Sequence, residues 1–113
     1  MRLIADIPRQ VEQANRMMQR NQKLTKVIAG RTIKAVTTEP GSVWILFNDQ
    51  SGMKIKTSGP ATIPPGGKIK SVHEARADFK IEFEDGSNAT FSLADPGSSV
   101  AVRDKNNAVE YLG

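Results

Sequence analysis

The sequence contains no cysteine and a single histidine, His73, in 113 residues. The lack of cysteine excludes disulfides, thiolate metal sites and cysteine nucleophiles, and one histidine is too few for a histidine-based zinc site. Aromatic residues make up only 5% of the chain. No stretch approaches the roughly 20 consecutive apolar residues that a membrane-spanning helix needs. We therefore expect no metal, no cofactor and no membrane partner.

The remaining composition is that of one soluble globular domain spanning residues 1–113. Hydrophobic residues account for 38% and charged residues for 25% of the chain, which is ordinary for a folded protein of this size. The apolar run before Asp6 consists only of Leu3, Ile4 and Ala5. Because that run is too short for a secretory signal, we expect a cytoplasmic protein.

An amphipathic helix is predicted over about residues 7–29. Residues 9–29 contain neither glycine nor proline, Asp6 stands where it can cap the first turn, and Gly30 suits the helix stop. Apolar residues recur three or four positions apart, which indicates one buried face. They are Ile7, Val11, Ala14, Met18, Leu24 and Ile28.

After Gly30 the sequence changes to short runs of alternating or β-branched residues separated by clusters of Gly, Pro, Asn, Asp and Ser. This spacing is typical of short antiparallel strands joined by tight turns. The strands are predicted near 31–38, 42–48, 53–57, 67–74, 78–84, 89–94, 99–103 and 108–112. The fold class is therefore α+β and β-rich.

The β region also contains an internal repeat with a period of 36 residues. A shift of 36 gives eight identities in the 28 positions from 30 to 57, where unrelated sequence gives roughly two. The identical residues include Gly30 and Gly66, Ile45 and Ile81, and Asp49 and Asp85. We predict two duplicated β-meanders, about 30–63 and 66–94, that form an antiparallel sheet or a small open barrel. An additional hairpin follows, over about 99–112.

The two repeats agree on one face of the sheet and differ on the other. Positions 43, 45 and 47 of the first repeat and 79, 81 and 83 of the second are all large and apolar, which predicts a shared core. On the opposite face, Trp44 and Leu46 correspond to Lys80 and Glu82. Two interpretations explain how this apolar pair is shielded from water. The helix docks over the pair through residues such as Val11 and Met18, or the pair forms a subunit interface.

Positive charge is concentrated at the start of the chain. Residues 1–56 hold ten basic and four acidic side chains, a balance of +6, whereas residues 57–113 hold six and eight, a balance of −2. On a helix, Arg9, Arg16, Arg20 and Lys23 fall within about 60° of one another. This basic ridge is either a solvated helix face or a contact for nucleic-acid phosphates.

No catalytic set emerges from the sequence, so we expect a protein that is not an enzyme. His73 and Glu74 are neighbours in a strand and point to opposite faces, which leaves the histidine without an orienting carboxylate. The four phenylalanines are predicted to face inward, so no exposed aromatic pair is available for stacking bases. The leading hypothesis is a small binding or assembly module that contacts proteins or itself. The alternative is a nucleic-acid-binding accessory protein that uses the basic ridge.

Overall fold

The computed structural model describes residues 19–95 and 97–113 of the chain. Residues 19–28 are helical and are named α1. The strands are β1 Ile33–Glu39, β2 Ser42–Phe47, β3 Gly52–Lys56, β4 Ile69–Ala75, β5 Asp78–Phe83, β6 Asn88–Ser92, β7 Val100–Arg103 and β8 Val109–Leu112. Each lies within two residues of a predicted strand, so the β-rich prediction is confirmed. The predicted helical turns at 7–18 lie outside the described residues.

The strands form two antiparallel sheets around one core. A five-stranded sheet has the order β1-β2-β3-β7-β8, and a three-stranded sheet has the order β4-β5-β6. The sheets are joined by two isolated bridges, between Thr32 and Lys68 and between Thr57 and Leu93. The extra C-terminal hairpin therefore extends the first sheet by pairing β7 with β3.

The pairing of β1, β2 and β3, here called the first unit, recurs in β4, β5 and β6, the second unit. Every residue pair of the first unit reappears 36 positions later, for example Val43 with Ile55 and Phe79 with Phe91. The irregularity at the start of β1 recurs at the start of β4. Both units therefore share one backbone register, whatever their origin.

The shared core is the one that the strand pattern predicts. All six inward positions of β2 and β5 are at most 2% exposed, and Phe79 stacks on Phe91 with ring centroids 5.3 Å apart. The hairpin adds Val100, Val102 and Tyr111 to the same cluster. Burial of this apolar cluster, at roughly 25 cal/mol per Å² of apolar surface removed from water, is the main favourable contribution to folding.

Helix α1 contributes to this core through its predicted apolar face. Leu24 and Ile28 are 1% and 0% exposed, and Gly30 then takes a φ of 86° that ends the helix. The backbone N–H of Gly30 donates to the carbonyl oxygen of Ile69 over 2.8 Å, which ties the helix end to β4. No helix in the part of the chain that the structure describes has the length and apolar character to cross a bilayer.

The polar residues of α1 cover the outer edge of β4. Asn21 accepts from the N–H of Glu74 over 2.8 Å and donates to the carbonyl of the same residue over 3.2 Å. Thr25 accepts from the N–H of Val72 over 3.1 Å and donates to its carbonyl over 3.3 Å. Two side chains one helical turn apart thus replace a neighbouring strand, and the exposed edge is satisfied.

Arg31 connects three parts of the chain directly after α1. Its guanidinium forms a two-pronged ion pair with Glu110 of β8, at 2.5 and 3.3 Å. It also donates to the hydroxyl of Ser51 over 2.8 Å, lies 3.6 Å from the carboxylate of Asp49, and sits over the ring of Phe47. Because the side chain is only 17% exposed, these contacts are partly shielded from water. Arg31 thereby fastens the C-terminal hairpin to the first unit.

Both hairpin turns at the repeated aspartates are closed by the same local contact. Asp49 accepts from the N–H of Ser51 and Asp85 from the N–H of Ser87, each over 2.9 Å, and both also accept from the serine hydroxyl. Hydrogen bonds from Ser51 lower the pKa of Asp49, and those from Ser87 lower the pKa of Asp85. The repeated aspartate and serine therefore close the same type of turn in both units.

We expect acid to weaken the fold through these turns. A carboxyl whose pKa is lower in the folded chain stabilises the fold above its unfolded pKa of about 3.9, and this contribution is lost as pH falls further. Asp85→Asn keeps an acceptor oxygen but does not titrate, so its midpoint temperature should fall less than that of the wild type between about pH 5 and pH 2. Thermal unfolding followed by circular dichroism measures this. Equal falls in both proteins would show that Asp85 does not contribute.

Candidate functional site

The outer face of β2 carries two large apolar side chains that the structure leaves in solvent. Trp44 is 46% and Leu46 is 41% exposed, while Val43, Ile45 and Phe47 between and beside them are buried. This alternation follows from the two-residue period of a strand whose other face packs on the core. The predicted orientation of Trp44 and Leu46 is therefore confirmed.

The neighbouring strands place a row of side chains across this face. Thr37 lies opposite Trp44, Trp44 opposite Lys54, Lys54 opposite Ala101, and Ala101 opposite Leu112. Leu112 is 66% exposed, so the row ends on another apolar side chain. Large apolar side chains that stay exposed on one face of a sheet mark a candidate contact face.

Lys54 modifies the surface of Trp44. Its ammonium lies 4.7 Å from the centroid of the Trp44 ring, within the range of a cation–π contact. One face of the indole is thereby occupied by a cation. Gly52, opposite Leu46 in the register, has no side chain, so open space remains beside Leu46.

The turn between β7 and β8 forms the far wall of a groove of about 440 Å³, here called the Trp44 groove. Asp104 holds this turn because one carboxylate oxygen accepts from the N–H groups of Asn106 and Ala108, over 2.8 and 2.9 Å. Asn107 takes a φ of 68°, and its carbonyl accepts from Arg103 over 3.1 Å. The groove is lined by Trp44, Leu46, Gln50, Gly52, Lys54, Ala101, Arg103, Asp104, Lys105 and Asn107.

The groove carries net positive charge. Its lining includes Lys54, Arg103 and Lys105 against the single carboxylate of Asp104, and that carboxylate already accepts two backbone hydrogen bonds. Within residues 19–95 and 97–113, none of these three cations forms an ion pair. An apolar floor with unneutralised cations at its rim suits a partner that is both apolar and acidic.

The predicted helix contact with this face remains a prediction. Val11 and Met18 lie outside the described residues, and the described turns of α1 pack along β4 of the second unit. Residues 19–28 contact β4 through Asn21 and Thr25, and the predicted docking on the outside of the first repeat, over Trp44 and Leu46, stays a prediction.

The predicted basic ridge is only partly described. Arg9 and Arg16 lie outside the described residues, while Arg20 and Lys23 are both exposed. The guanidinium of Arg20 lies so close to Gly97 that a Cβ built on this glycine would be 2.8 Å from Nη1. Arg20 is thus turned toward the loop before β7, and the ridge itself stays a prediction.

A polar cluster lies on the outer face of the second unit, in the place equivalent to Trp44 and Leu46. Glu82 accepts from Ser71 over 3.2 Å and lies 3.2 Å from Lys80 and 3.8 Å from Nε2 of His73. Hydrogen bonds from Lys80, then from Ser71, lower the pKa of Glu82. Both Ser71 and Glu82 approach the same ring nitrogen of His73, whereas a nucleophile–base–acid relay uses both nitrogens. The cluster has the geometry of surface ion pairing.

Sequence reasoning identified Trp44 and Leu46 but missed the cations around them. The alternation of β3 places Lys54 on the outer face together with Trp44, so a register argument could have found it. Arg103 and Lys105 reach the groove only because β7 pairs with β3, and no local signal in the sequence states that pairing. Comparison of the chain with protein-family models, curated proteins and solved structures finds no match.

Proposed function

We propose that this protein is a non-enzymatic binding module that takes an acidic protein segment with a large apolar side chain into the Trp44 groove. The observation that carries the proposal is the exposed pair Trp44 and Leu46 beside cations that have no carboxylate partner among the described residues. Tryptophan, tyrosine and arginine are the residues that most often dominate the binding energy of protein interfaces, and the groove contains Trp44 and Arg103. The expected cytoplasmic location is part of this proposal.

The contacts of Trp44 favour a protein partner over a nucleic acid. A base stacks on an aromatic face, but the ammonium of Lys54 lies over the Trp44 ring. The rest of the floor is aliphatic, with Leu46 and Ala101, and suits a leucine or phenylalanine side chain better than a base. Cations at the rim then match acidic residues on either side of that anchor.

A synthetic peptide tests the proposal. The probe is a short fluorescein-labelled peptide in which glutamates flank a Leu-Phe pair, and binding is read as fluorescence anisotropy. We expect Trp44→Ala and Lys54→Glu each to weaken binding at least about tenfold. Trp44 is the only tryptophan in the chain, so its emission should also shift to shorter wavelength when the peptide binds the wild type.

The matched control lies in the second unit. Lys80 occupies the position equivalent to Trp44 but on the other sheet, so Lys80→Glu changes the net charge as Lys54→Glu does without touching the groove. We expect Lys80→Glu to change peptide affinity by less than about twofold. No binding of the peptide at about 100 μM, or stronger binding of oligothymidine than of the peptide, would overturn the proposal in favour of another class of partner.

We further propose that the two units arose by duplication and that α1 extends toward the N-terminus as predicted. Two reciprocal hydrogen bonds support the duplication, because Gly30 donates to Ile69 and Gly66 donates to Ile33, both over 2.8 Å. The two donors are equivalent positions of the repeat, and so are the two acceptors. After the duplication the outer faces diverged. The first unit kept an apolar face and gained the hairpin that walls the groove.

A further inference from the structure

Strand β6 ends the three-stranded sheet, and no strand among residues 19–95 and 97–113 pairs with its outer edge. Among the described residues, β6 pairs only with β5, apart from the bridge just beyond its end at Leu93. Asn88, Thr90 and Ser92 are exposed, while Ala89 and Phe91 point into the core. The outer face of the strand is therefore exposed to solvent.

The equivalent strand of the first unit shows what such an edge accepts. Strand β3 has the same register toward its inner neighbour as β6. Its outer edge pairs antiparallel with β7, residue for residue from Gly52 to Ile55. The corresponding residues of β6 are 88–91, and none of the described residues pairs with them on the outer side. Within the described part of the chain, the same backbone arrangement has a partner strand in the first unit and none in the second.

The hydrogen bonds around β6 identify the groups that face outward. The backbone carbonyl of Ser87 accepts from the N–H of Phe83, and the N–H of Leu93 donates to the carbonyl of Ala77. The backbone N–H and C=O groups of the odd-numbered residues therefore point toward β5. The carbonyl of Ser92 accepts from Ser58 on the outer side. Because the direction alternates along a strand, the N–H and C=O groups of Asn88 and Thr90 point to the outer edge.

Among the described residues, this edge lacks the features found at the outer edges of β4 and β8. The outer edge of β4 is covered by Asn21 and Thr25 of α1, and β8 carries the charged Glu110. The sequence of β6 is Asn-Ala-Thr-Phe-Ser, with neither a charge nor a proline. Edge strands in soluble proteins usually carry such residues, because unprotected edges pair with other strands.

We propose that two copies of this chain pair antiparallel through β6, with Asn88 of one copy opposite Thr90 of the other. Ser58 already occupies the position beside Ser92, so this register avoids Ser92 and forms four backbone hydrogen bonds. The two-fold axis then passes between the two copies of Ala89. Residues at such a non-hydrogen-bonded pair approach most closely, about 4.5 Å between Cα atoms, and alanine is small enough for it.

The side chains at this contact are compatible with self-pairing. Asn88 and Thr90 face each other on the outer surface and are uncharged, so no like charges are brought together. The two three-stranded sheets become one six-stranded sheet. Because the contact is a single strand pair and far smaller than a standard interface, we expect a weak dimer with a dissociation constant on the order of 10⁻⁴ M.

Sedimentation equilibrium between about 10 μM and 1 mM tests the proposal, with Thr90→Pro as the disrupting variant. Proline at 90 removes only an N–H that points to the outer edge, so pairing with β5 is retained. We expect Thr90→Pro to raise the dissociation constant at least about tenfold, with an unfolding temperature close to that of the wild type, and Thr90→Val to dimerise normally. A wild type that stays monomeric at about 1 mM, or a dimer that Thr90→Pro leaves intact, would overturn the proposal.

A second variant tests the register and does not depend on proline. The double substitution Asn88→Lys with Thr90→Glu places a cation at position 88 opposite a carboxylate at position 90 of the other copy. Within each chain, the same two positions lie beside Glu82 and Lys80, so each new charge also has an opposite charge next to it. We expect this double variant to dimerise several-fold more tightly than the wild type at low salt, and to lose the gain at about 0.5 M salt. Weaker dimerisation at low salt would contradict the register.

Discussion

Replacing Thr25 by valine should lower the free energy of unfolding by about 2–3 kcal/mol, or the midpoint temperature by about 8–15 °C. Valine has nearly the same shape and helix propensity as threonine, so packing and helix stability change little. What is lost is the hydroxyl that both accepts from and donates to the backbone of Val72. Val72 is 1% exposed, and buried backbone groups without partners are costly.

Thr25→Ser is the matched control, because it keeps the hydroxyl and removes only a methyl group. We expect this variant to lose less than about 1 kcal/mol. Hydrogen exchange gives a second measurement: the amide of Val72 should be protected in the wild type and in Thr25→Ser, and should exchange faster in Thr25→Val. If valine and serine have equal effects on stability and exchange, the helix does not hold the β4 edge in solution.

The contact between Thr25 and β4 could not be predicted from the sequence, unlike other features of the helix. The helix end at Gly30 and the burial of Leu24 and Ile28 were predictable, because apolar spacing and a glycine stop are local signals. Asn21 and Thr25 are polar, and an argument from the hydrophobic face of a helix assigns them to solvent. Their role depends on the position of β4, which lies far along the chain and which no local pattern contains.

The positions of the strands were predictable because their signals are local, whereas the order of the strands in the sheets depends on contacts between distant parts of the chain. Turn residues and alternation place each strand within two residues, and the repeat of 36 correctly predicts that Val43, Ile45 and Phe47 share a face with their counterparts. The pairing of β3 with β7 is not local, since the whole second unit lies between these two strands in the sequence. The cations of the groove were missed because Arg103 and Lys105 depend on that pairing.

The two proposed surfaces lie on different sheets, which allows them to act together. The Trp44 groove belongs to the five-stranded sheet, and the β6 edge belongs to the three-stranded sheet. A dimer through β6 therefore carries two free grooves. A partner with two acidic segments would gain from the raised effective concentration of the second groove even though each contact is weak. Because the two surfaces are separate, variants that abolish dimerisation can still be tested for peptide binding, and variants that abolish peptide binding can still be tested for dimerisation.

Replacing Arg31 by methionine should have the largest effect, a loss of about 3 kcal/mol in the free energy of unfolding. Methionine fills a similar volume but leaves the carboxylates of Glu110 and Asp49 without a cation and the hydroxyl of Ser51 without a donor. The Arg31 side chain is 17% and that of Glu110 26% exposed, so solvent replaces these contacts only in part. Lysine at 31 keeps the charge but cannot form the two-pronged pair, and we expect an intermediate loss.

A double-mutant cycle with Glu110→Gln separates this ion pair from the other contacts of Arg31. If the pair is formed in solution, the double variant should lose about 1–3 kcal/mol less than the sum of the two single variants. Losses that simply add would contradict the ion pair. The hairpin of β7 and β8 supplies Arg103 and Lys105 to the groove, and Arg31 fastens this hairpin to the first unit. We therefore also expect faster amide exchange in β8 and weaker peptide binding in Arg31→Met, although Arg31 itself does not line the groove.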